Sequence, residues 1–557
     1  MTATVNIARF LPEAAQKHPY KKAVICLDRM YSDRFSYVHQ TFFEVDELSN
    51  RYAHGLKALG FSQGMKVLLA VKPGLDFVPL TFALFKIGAV PVLIDPGMGK
   101  KNLLQCIELV APEALIGVAK AHIAKLLKPG AFKSVKHSIV VGRKFMLPGI
   151  ALRDVLSENR QEFQIANTKA RDMAAIVYTT GSTGIPKGVV YFHEQMEGQV
   201  RLIREKFQIP DHAVDLPVFP LFALFAVAWG ITAVIPHMDP TKPALANENI
   251  LIRQILDQGV SFSIGSPALW DRLGAYCENH KIILPCLKQI LMVGAPVRPH
   301  ILKRFQNVLP KGETFTPYGA TEALPVAVIS GTEVLSTTAL LSEQGKGTCI
   351  GTAFPDITIR VIKISEEAIP EWSESLLCAP NEVGEIVVKG PIVTQEYFLL
   401  PKATELAKIR ENDAIWHRMG DLGYLDEMGR LWFCGRKAHR VETETRRYLS
   451  VCCEAIFNQH PKVHRTALVG ITKHGGQKVP VIVVEPKANQ MPTSFQEKQK
   501  FVNELLELGK QYEHTREIGA LLFHPSFPVD IRHNAKIFRE KLAVWAQNEI
   551  GDCSCGH

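Results

Sequence analysis

The stretch Tyr178-Thr-Thr-Gly-Ser-Thr-Gly-Ile-Pro-Lys-Gly188 decides how the chain is read. Apolar runs with strand character flank it, Met173-Ala-Ala-Ile-Val177 before and Val189-Val-Tyr-Phe192 after. Two such strands joined by a Gly/Ser/Thr loop predict a hairpin whose tip is rich in hydroxyls and backbone N–H groups. Glycine lets the backbone take positive φ and approach a ligand closely, and successive N–H groups in a turn form an anion nest. Thr179, Thr180, Ser182 and Thr183 add hydroxyls, Gly181 and Gly184 add freedom to turn, and Lys187 adds charge. These are the parts of a polyphosphate cradle. A Walker loop is excluded, because that motif needs Lys-Ser/Thr opening a helix. Here Lys187 follows Pro186 and a strand-like run comes next. The bland alternative is a polar surface loop, and the remaining motifs decide between the two.

Length and composition set the frame. A chain of 557 residues predicts about two to four domains. Apolar content of 47% and charged content of 21% fit an ordinary globular protein. The 64 basic and 55 acidic residues are interspersed, so the net charge of +9 does not point to nucleic acid as a partner. Eleven cysteines without a repeating spacing fit a reducing compartment, and the cytoplasm is the expected location. Cys553, Cys555 and His557 have no second ligand pair nearby and read as a tail rather than a metal site. The first residues lack a basic region and a sustained apolar run, so no signal peptide is expected. Residues 216–236 are uncharged and about as long as a membrane span of ~20 residues. Pro217, Pro220, Gly230 and Pro236 instead predict a buried strand–loop–helix passage.

From Asn6 to Lys136 helix and strand patterns alternate, with helices over 44–59, 77–88 and 103–110 and strands over 67–71, 89–95 and 114–118. That alternation predicts parallel sheet flanked by helices. Glu194 to Phe207 reads as an amphipathic helix. Beyond Arg436 the pattern changes to strands over 463–470, 479–484 and 520–523 with a helix over 495–513. The fold class is α/β. A large N-terminal domain, 1–435, is built of α/β subdomains with mostly parallel sheets, and a small α+β domain, 436–557, follows.

Several strings carry chemistry. Gly294-Ala295-Pro296 stands at a strand end, where ligands of open α/β sheets sit. In Thr316-Pro-Tyr-Gly-Ala-Thr-Glu322, Tyr318 offers an aromatic face, Thr321 a hydroxyl for phosphate, and Glu322 a carboxylate suited to Mg²⁺. Asp421, in Trp416-His-Arg-Met-Gly-Asp421, can accept from two ribose hydroxyls at once. With the first stretch, these strings resemble the adenylate-forming (AMP-binding) superfamily of acyl-CoA synthetases, peptide-synthetase adenylation domains and luciferases. The resemblance implies an acyl-CoA synthetase-like fold and ATP and Mg²⁺ as cofactors. It also implies a role for each matched residue. The loop from Thr179 through Thr180, Gly181, Ser182, Thr183, Gly184 and Lys187 would bind phosphate, with Thr179 and Glu322 at the metal. Gly294, Ala295, Pro296, Tyr318 and Gly319 would meet adenine, Thr321 phosphate, Asp421 ribose, and Arg436 would be a second nucleotide contact. Lys536, in Phe527-Pro-Val-Asp-Ile-Arg-His-Asn-Ala-Lys536, would reach in from the small domain to offset charge in the transition state. Phe219, Phe222 and Phe225 would wall an acyl pocket, with Ala223 where many relatives carry His.

One region departs from most of the superfamily. Gly435-Arg-Lys-Ala438-His-Arg-Val-Glu442-Thr-Glu-Thr-Arg-Arg-Tyr448 puts Ala438 at the hinge Asp position and Glu442 at a Lys position, and it lacks the next loop's glycine. In relatives these features belong to the rotated, thiol-accepting state, and a glutamate there is expected to repel the phosphates of CoA. The departures are similar to the β-lactone synthetase branch of olefin biosynthesis, in which the substrate's own β-hydroxyl attacks the acyl adenylate. The resemblance extends from the first helix to Trp545. It implies an enzyme that activates a long-chain carboxylic acid, a 3-hydroxy acid, as acyl-AMP and closes it to a β-lactone. The competing readings are a fatty-acyl-CoA or acyl-carrier ligase and a non-catalytic nucleotide-binding scaffold. The expected partners are the long-chain acyl substrate, enzymes of the same pathway and a peripheral membrane contact, with no nucleic acid.

Overall fold

In the computed structural model, residues 4–179, 186–473, 476–529 and 537–553 are described. Three large sheets make up the N-terminal part. The first has seven strands in the order Ile150–Ala151, His137–Val141, Ala114–Val118, Lys66–Ala70, Val90–Ile94, Met173–Thr179, Lys187–Phe192. All its pairings are parallel except the last, the hairpin that frames the phosphate-loop stretch. The second also has seven strands, ordered Glu313–Phe315, Gln289–Met292, Phe262–Gly265, Val214–Pro217, Thr232–Val234, Lys22–Met30, Phe35–Thr41. It too is parallel apart from its terminal hairpin.

Local sequence explains the helices between these sheets. Thr41 and Glu44 form a reciprocal capping box that starts the helix Phe42–Ala58. The helix Phe77–Ile87 is buried along its whole length and stops at Gly88, whose φ of +77° is the left-handed cap that glycine adopts without strain. A helix buried all round must be apolar all round, and its one charge, Lys86, is satisfied by Asp46 at 2.6 Å and Asn50 at 2.5 Å. The uncharged passage 216–236 forms the strand Val214–Pro217, the helix Pro220–Ala228 and the strand Thr232–Val234. Residues of all three large sheets share one apolar core with these helices.

The third sheet has eight strands and is antiparallel throughout. The expectation of mostly parallel sheets holds for the first two and not for this one. Its strands Lys408–Glu411, Ala414–Leu425 and Leu431–Arg436 are joined by connections too short for a parallel crossover, so they fold back on themselves. This sheet brings Tyr318, Glu322, Asp421 and Arg436 toward one another. The small C-terminal part holds the three-stranded sheet of Val463–Thr472, Lys478–Pro486 and Ala520–Phe523. Strand alternation divides its side chains between two cores. Leu468, Ile482 and Val484 face the helix Phe495–Lys510, and Ala467, Val481 and Val483 face Leu542 and Ala546 of the C-terminal helix.

Candidate functional site

The hairpin Met173–Thr179/Lys187–Phe192 pairs Thr179 with Lys187 and Tyr178 with Gly188. Gly188 is required there, because a Cβ would lie 2.6 Å from the Tyr178 ring. Thr180, Gly181, Ser182, Thr183, Gly184, the Thr179 side chain and Lys536 lie outside the described residues. The strand Lys187–Phe192 is flanked by residues 396–398, with Phe398 N donating to Gly188 O at 2.8 Å and Val190 N to Glu396 O at 3.3 Å. That contact seats Tyr397 between two expected site residues. The Lys187 ammonium stands 4.7 Å from the centroid of the Tyr397 ring, and the Tyr397 hydroxyl donates to Glu322 Oε1 at 2.7 Å. One aromatic side chain thus holds a cation on its face and a carboxylate at its tip.

Glu322 is braced further through its backbone. Its carbonyl accepts from Thr394 N at 2.9 Å and Thr394 Oγ1 at 3.0 Å. Lys408 Nζ in turn donates to Thr394 O and, at 3.3 Å, to Thr394 Oγ1. Next to Glu322, Thr321 O accepts from Tyr191 Oη at 2.5 Å. Burial pushes the Lys408 amine down to about 7, against the pull of Glu322. His417, also buried, is held well below its ordinary value by burial and then by Lys408.

Tyr318 opens the third sheet, and Gly319 beside it sits where a Cβ would lie 2.7 Å from Ala323 O. The Tyr318 hydroxyl donates to Asp421 Oδ2. Asp421 is paired in register with Arg436 on the adjacent strand. Arg436 Nη1 lies 3.0 Å from Asp421 Oδ1, a charge contact whose geometry falls short of a hydrogen bond, so Oδ1 keeps its accepting capacity. Burial raises the Asp421 carboxyl, while Arg436 and Tyr318 oppose the rise. Asp421 and Arg436 both feel the charge of Glu322, which puts all three in one electrostatic neighbourhood. Gly294, at φ +93°, Ala295 and Pro296 follow the strand Gln289–Met292.

On the acyl side, Phe222, Ala223 and Phe225 are buried in the main core and Phe219 is partly buried against it. Rings follow one another from Phe219 to Phe222 at 6.2 Å, Phe225 at 5.5 Å, Trp229 at 6.1 Å and Phe262 at 6.1 Å. Behind this series the strand Val214–Pro217 carries Asp215, fully buried, with neither oxygen hydrogen-bonded among the described residues. Burial holds its carboxyl far above the usual carboxylate range.

The hinge region corrects one expectation. Glu442 is not a lone negative charge, because Arg440 Nε lies 3.1 Å and Arg447 Nε 2.8 Å from its carboxylate. Arg440 also reaches Glu366 at 2.7 Å, so the four charges balance. Lys437 and Arg418 share the buried carboxylate of Glu385, at 3.2 and 2.7 Å.

Sequence motifs picked out Lys187, Tyr318, Glu322, Asp421 and Arg436. They missed Tyr397, Tyr191, Thr394 and Lys408, which act through contacts between distant segments. The one signal available was a lysine beside apolar positions in Leu406-Ala-Lys-Ile409.

Comparison with known proteins gives these positions a context. The family model described as AMP-binding enzyme matches residues 11–398. An olefin β-lactone synthetase from Xanthomonas campestris is 44% identical, with 99% of each chain covered. A second, from Stenotrophomonas maltophilia, is 42% identical, also with 99% of each chain covered. Among solved structures, the amide bond synthetase from Marinactinospora thermotolerans matches with a TM-score of 0.78 at 18% identity, covering 97% of this chain and 99% of that one.

Proposed function

The chain belongs to the AMP-binding enzyme family, and from that premise we propose that the cluster around Tyr397 is its nucleotide site. The enzyme uses ATP to activate a carboxylic acid as an acyl adenylate, and it forms a β-lactone. The observation that carries the site assignment is the double engagement of Tyr397, by Lys187 on its ring and Glu322 at its hydroxyl. It sets a phosphate-binding cation and a metal-binding carboxylate on either side of one rigid spacer.

In this reading Asp421 accepts from the ribose hydroxyls, Arg436 offsets phosphate charge, and Tyr318 with Gly294, Ala295, Pro296 and Gly319 borders adenine. Thr321 and the 179–187 loop hold the phosphates. The residues fit Mg²⁺, since Glu322 has one oxygen fixed by Tyr397 and its other oxygen takes no hydrogen bond or ion pair among the described residues, which suits a hard cation. No group of three or more His, Cys, Asp or Glu gathers among the described residues. A Mg²⁺ here would therefore take most of its ligands from phosphate and water, and would supply neutralisation of charge between the phosphates. We place the hinge at Arg436, between a large domain 1–435 and a small domain 436–557 that brings Lys536 to the reacting phosphate.

A substrate carboxylate oxygen attacks the α-phosphorus, and pyrophosphate leaves. The substrate, proposed to be a long-chain 3-hydroxy acid lying along Phe219, Phe222, Ala223 and Phe225, then attacks its own acyl carbon through the β-oxygen. AMP leaves with the C–O bond electrons, and the hydroxyl proton passes to a base. Holding both groups in one chain makes this step competitive with hydrolysis. Ala438 supports closure without a thiol, because it cannot make the contacts of a hinge carboxylate. No helix among the described residues is long and apolar enough to cross a membrane; the cytoplasm, and association with enzymes of the same pathway, complete the proposal.

The test supplies ATP, Mg²⁺, CoA and either a plain or a 3-hydroxy long-chain acid, with products read by mass. The proposal expects β-lactone and AMP from the hydroxy acid and bound acyl-AMP from the plain one. Accumulation of CoA thioester would replace it with the ligase reading.

A further inference from the structure

The whole-chain charge hides a local imbalance. Residues 114–153 hold eight Lys or Arg and no Asp or Glu, so this stretch carries eight of the chain's nine net positive charges. Among the described residues, Arg153 is the one of the eight with an ion pair, to Asp154. The same stretch exposes five large apolar side chains: Ile123 at 45%, Leu126 at 55%, Leu127 at 72%, Phe145 at 77% and Met146 at 101%.

The placement of these groups is ordered. The helix Ala119–Leu127 lies on the strands Ala114–Val118 and His137–Val141, held by His122 Nε2, 3.0 Å from Ile139 O, and by Lys125 Nζ on Ser138 Oγ at 2.7 Å. Ala121 and Ala124 pack inward. Ile123, Leu126 and Leu127 are spaced three and four apart and share the opposite face. Phe145 and Met146 sit on the connection 142–149, which leads to the edge strand Ile150–Ala151. Lys120, Lys128, Lys133, Lys136 and Arg143 are exposed around them. The hairpin of the nucleotide site is at the other edge of this sheet, so a partner bound here leaves that site open.

We propose that this edge is a docking surface for a membrane carrying anionic lipid headgroups. Lysines meet a negative bilayer surface, and the proud apolar side chains enter the headgroup–acyl boundary. Charge complementarity alone would also suit nucleic acid. Single-stranded binders, however, use stacked aromatics between their charges, and here the exposed apolar groups are aliphatic except for Phe145.

The experiment is sedimentation of the full-length protein with vesicles of phosphatidylcholine, with and without phosphatidylglycerol. Binding is expected to the anionic vesicles and to fall sharply in high salt. The variants F145S/M146S and K128E/K144E should each weaken it by about tenfold or more. Their pyrophosphate release with a detergent-dissolved acid should stay at the wild-type rate, which shows that both are folded. Equal binding to the two vesicle types, unaltered binding by either variant, or retention of a DNA or RNA oligomer without vesicle binding would overturn the proposal.

Discussion

Asp215 and Asp421 are carboxylates of nearly equal burial, 0% and 2% exposed, in opposite company. Asp421 has the Tyr318 hydroxyl on one oxygen and the Arg436 guanidinium 3.0 Å from the other. Asp215 lies between Ala233 and Phe262 in the second sheet with neither oxygen bonded among the described residues. Burial raises both groups, but only at Asp421 does anything pull the other way. A buried charge costs free energy unless it is paired and hydrogen-bonded. The third sheet meets that cost with a network that also includes Glu322, Tyr397 and Lys408. The second sheet holds, in an apolar layer, a carboxyl that burial pushes toward its protonated form. On this comparison, the partnered region handles charged ligand atoms and the unpartnered one does not.

Lys408 tests the network at its most buried cation. Folded, its amine loses its proton above about 7; unfolded, it keeps the proton to the ordinary 10.5. The unfolded state therefore binds more protons in that window, and stability rises with pH across it. The slope due to this one group is up to about 1.4 kcal/mol per pH unit. Lys408→Met should remove that slope from denaturant unfolding measured at several pH values between neutral and mildly alkaline. An identical slope in both proteins would mean that Lys408 is solvated and the network is looser than its distances say.

Asp421 tests the ligand side. Asp421→Asn keeps the shape and removes the charge that ribose hydroxyls and Arg436 share. Nucleotide affinity should fall by about 1.5–3 kcal/mol, the worth of hydrogen bonds to a charged group. Wild-type affinity by calorimetry would separate Asp421 from the ribose and dissolve the contrast with Asp215.

How much of this was legible in the sequence follows the same division. Tyr318, Glu322 and Asp421 sit in contiguous strings whose residue types state their chemistry. Tyr397, Thr394 and Lys408 support Glu322 from 72 to 86 residues away along the chain, through hydrogen bonds that exist only once the third sheet has formed. The antiparallel pairing of that sheet was not readable, because pairing depends on partners rather than on local pattern. Asp215 was visible in Asp215-Leu-Pro-Val-Phe219, yet nothing in the string says that its neighbours offer no donor. The positive stretch 114–153 vanished into a whole-chain average.

Asp215 tests the other half of the comparison. Its folded carboxyl keeps a proton that the unfolded chain releases above the ordinary 3.8. Stability is therefore lost as pH rises from there toward the folded value. Asp215→Leu, nearly the same shape without polar atoms, should stabilise the protein at neutral pH by about 1–3 kcal/mol. The gain should shrink as pH falls below the unfolded value, where the ionisation part is gone and only the cost of the unbonded protonated carboxyl remains, and adenylate formation should not change. A destabilised or inactive variant would show that Asp215 has a polar partner in solution and belongs with Asp421 after all.

The smallest effect is expected at Glu442, and it bears on whether paired charges act at a distance. Read along the chain alone, a glutamate in place of lysine looks like a barrier to the phosphates of CoA. In the structure its carboxylate is bracketed by Arg440 at 3.1 Å and Arg447 at 2.8 Å, with Glu366 on the far side of Arg440. Arg440, and after it Arg447, hold the Glu442 carboxyl below its ordinary range, so it stays ionised and its field is cancelled locally. Partly exposed pairs of this kind are worth about 0–1 kcal/mol and are screened by salt. Glu442→Lys should therefore leave lactone turnover within about fivefold and CoA thioester at background, because a thiol acceptor also needs the rotated domain arrangement that Ala438 does not support. Adding Ala438→Asp to Glu442→Lys separates the two causes: thioester from the double variant alone would assign the exclusion of CoA to the hinge. Thioester from Glu442→Lys alone, rising as lactone falls, would make the single charge the gate and contradict the rule that a partnered charge acts only on its partners.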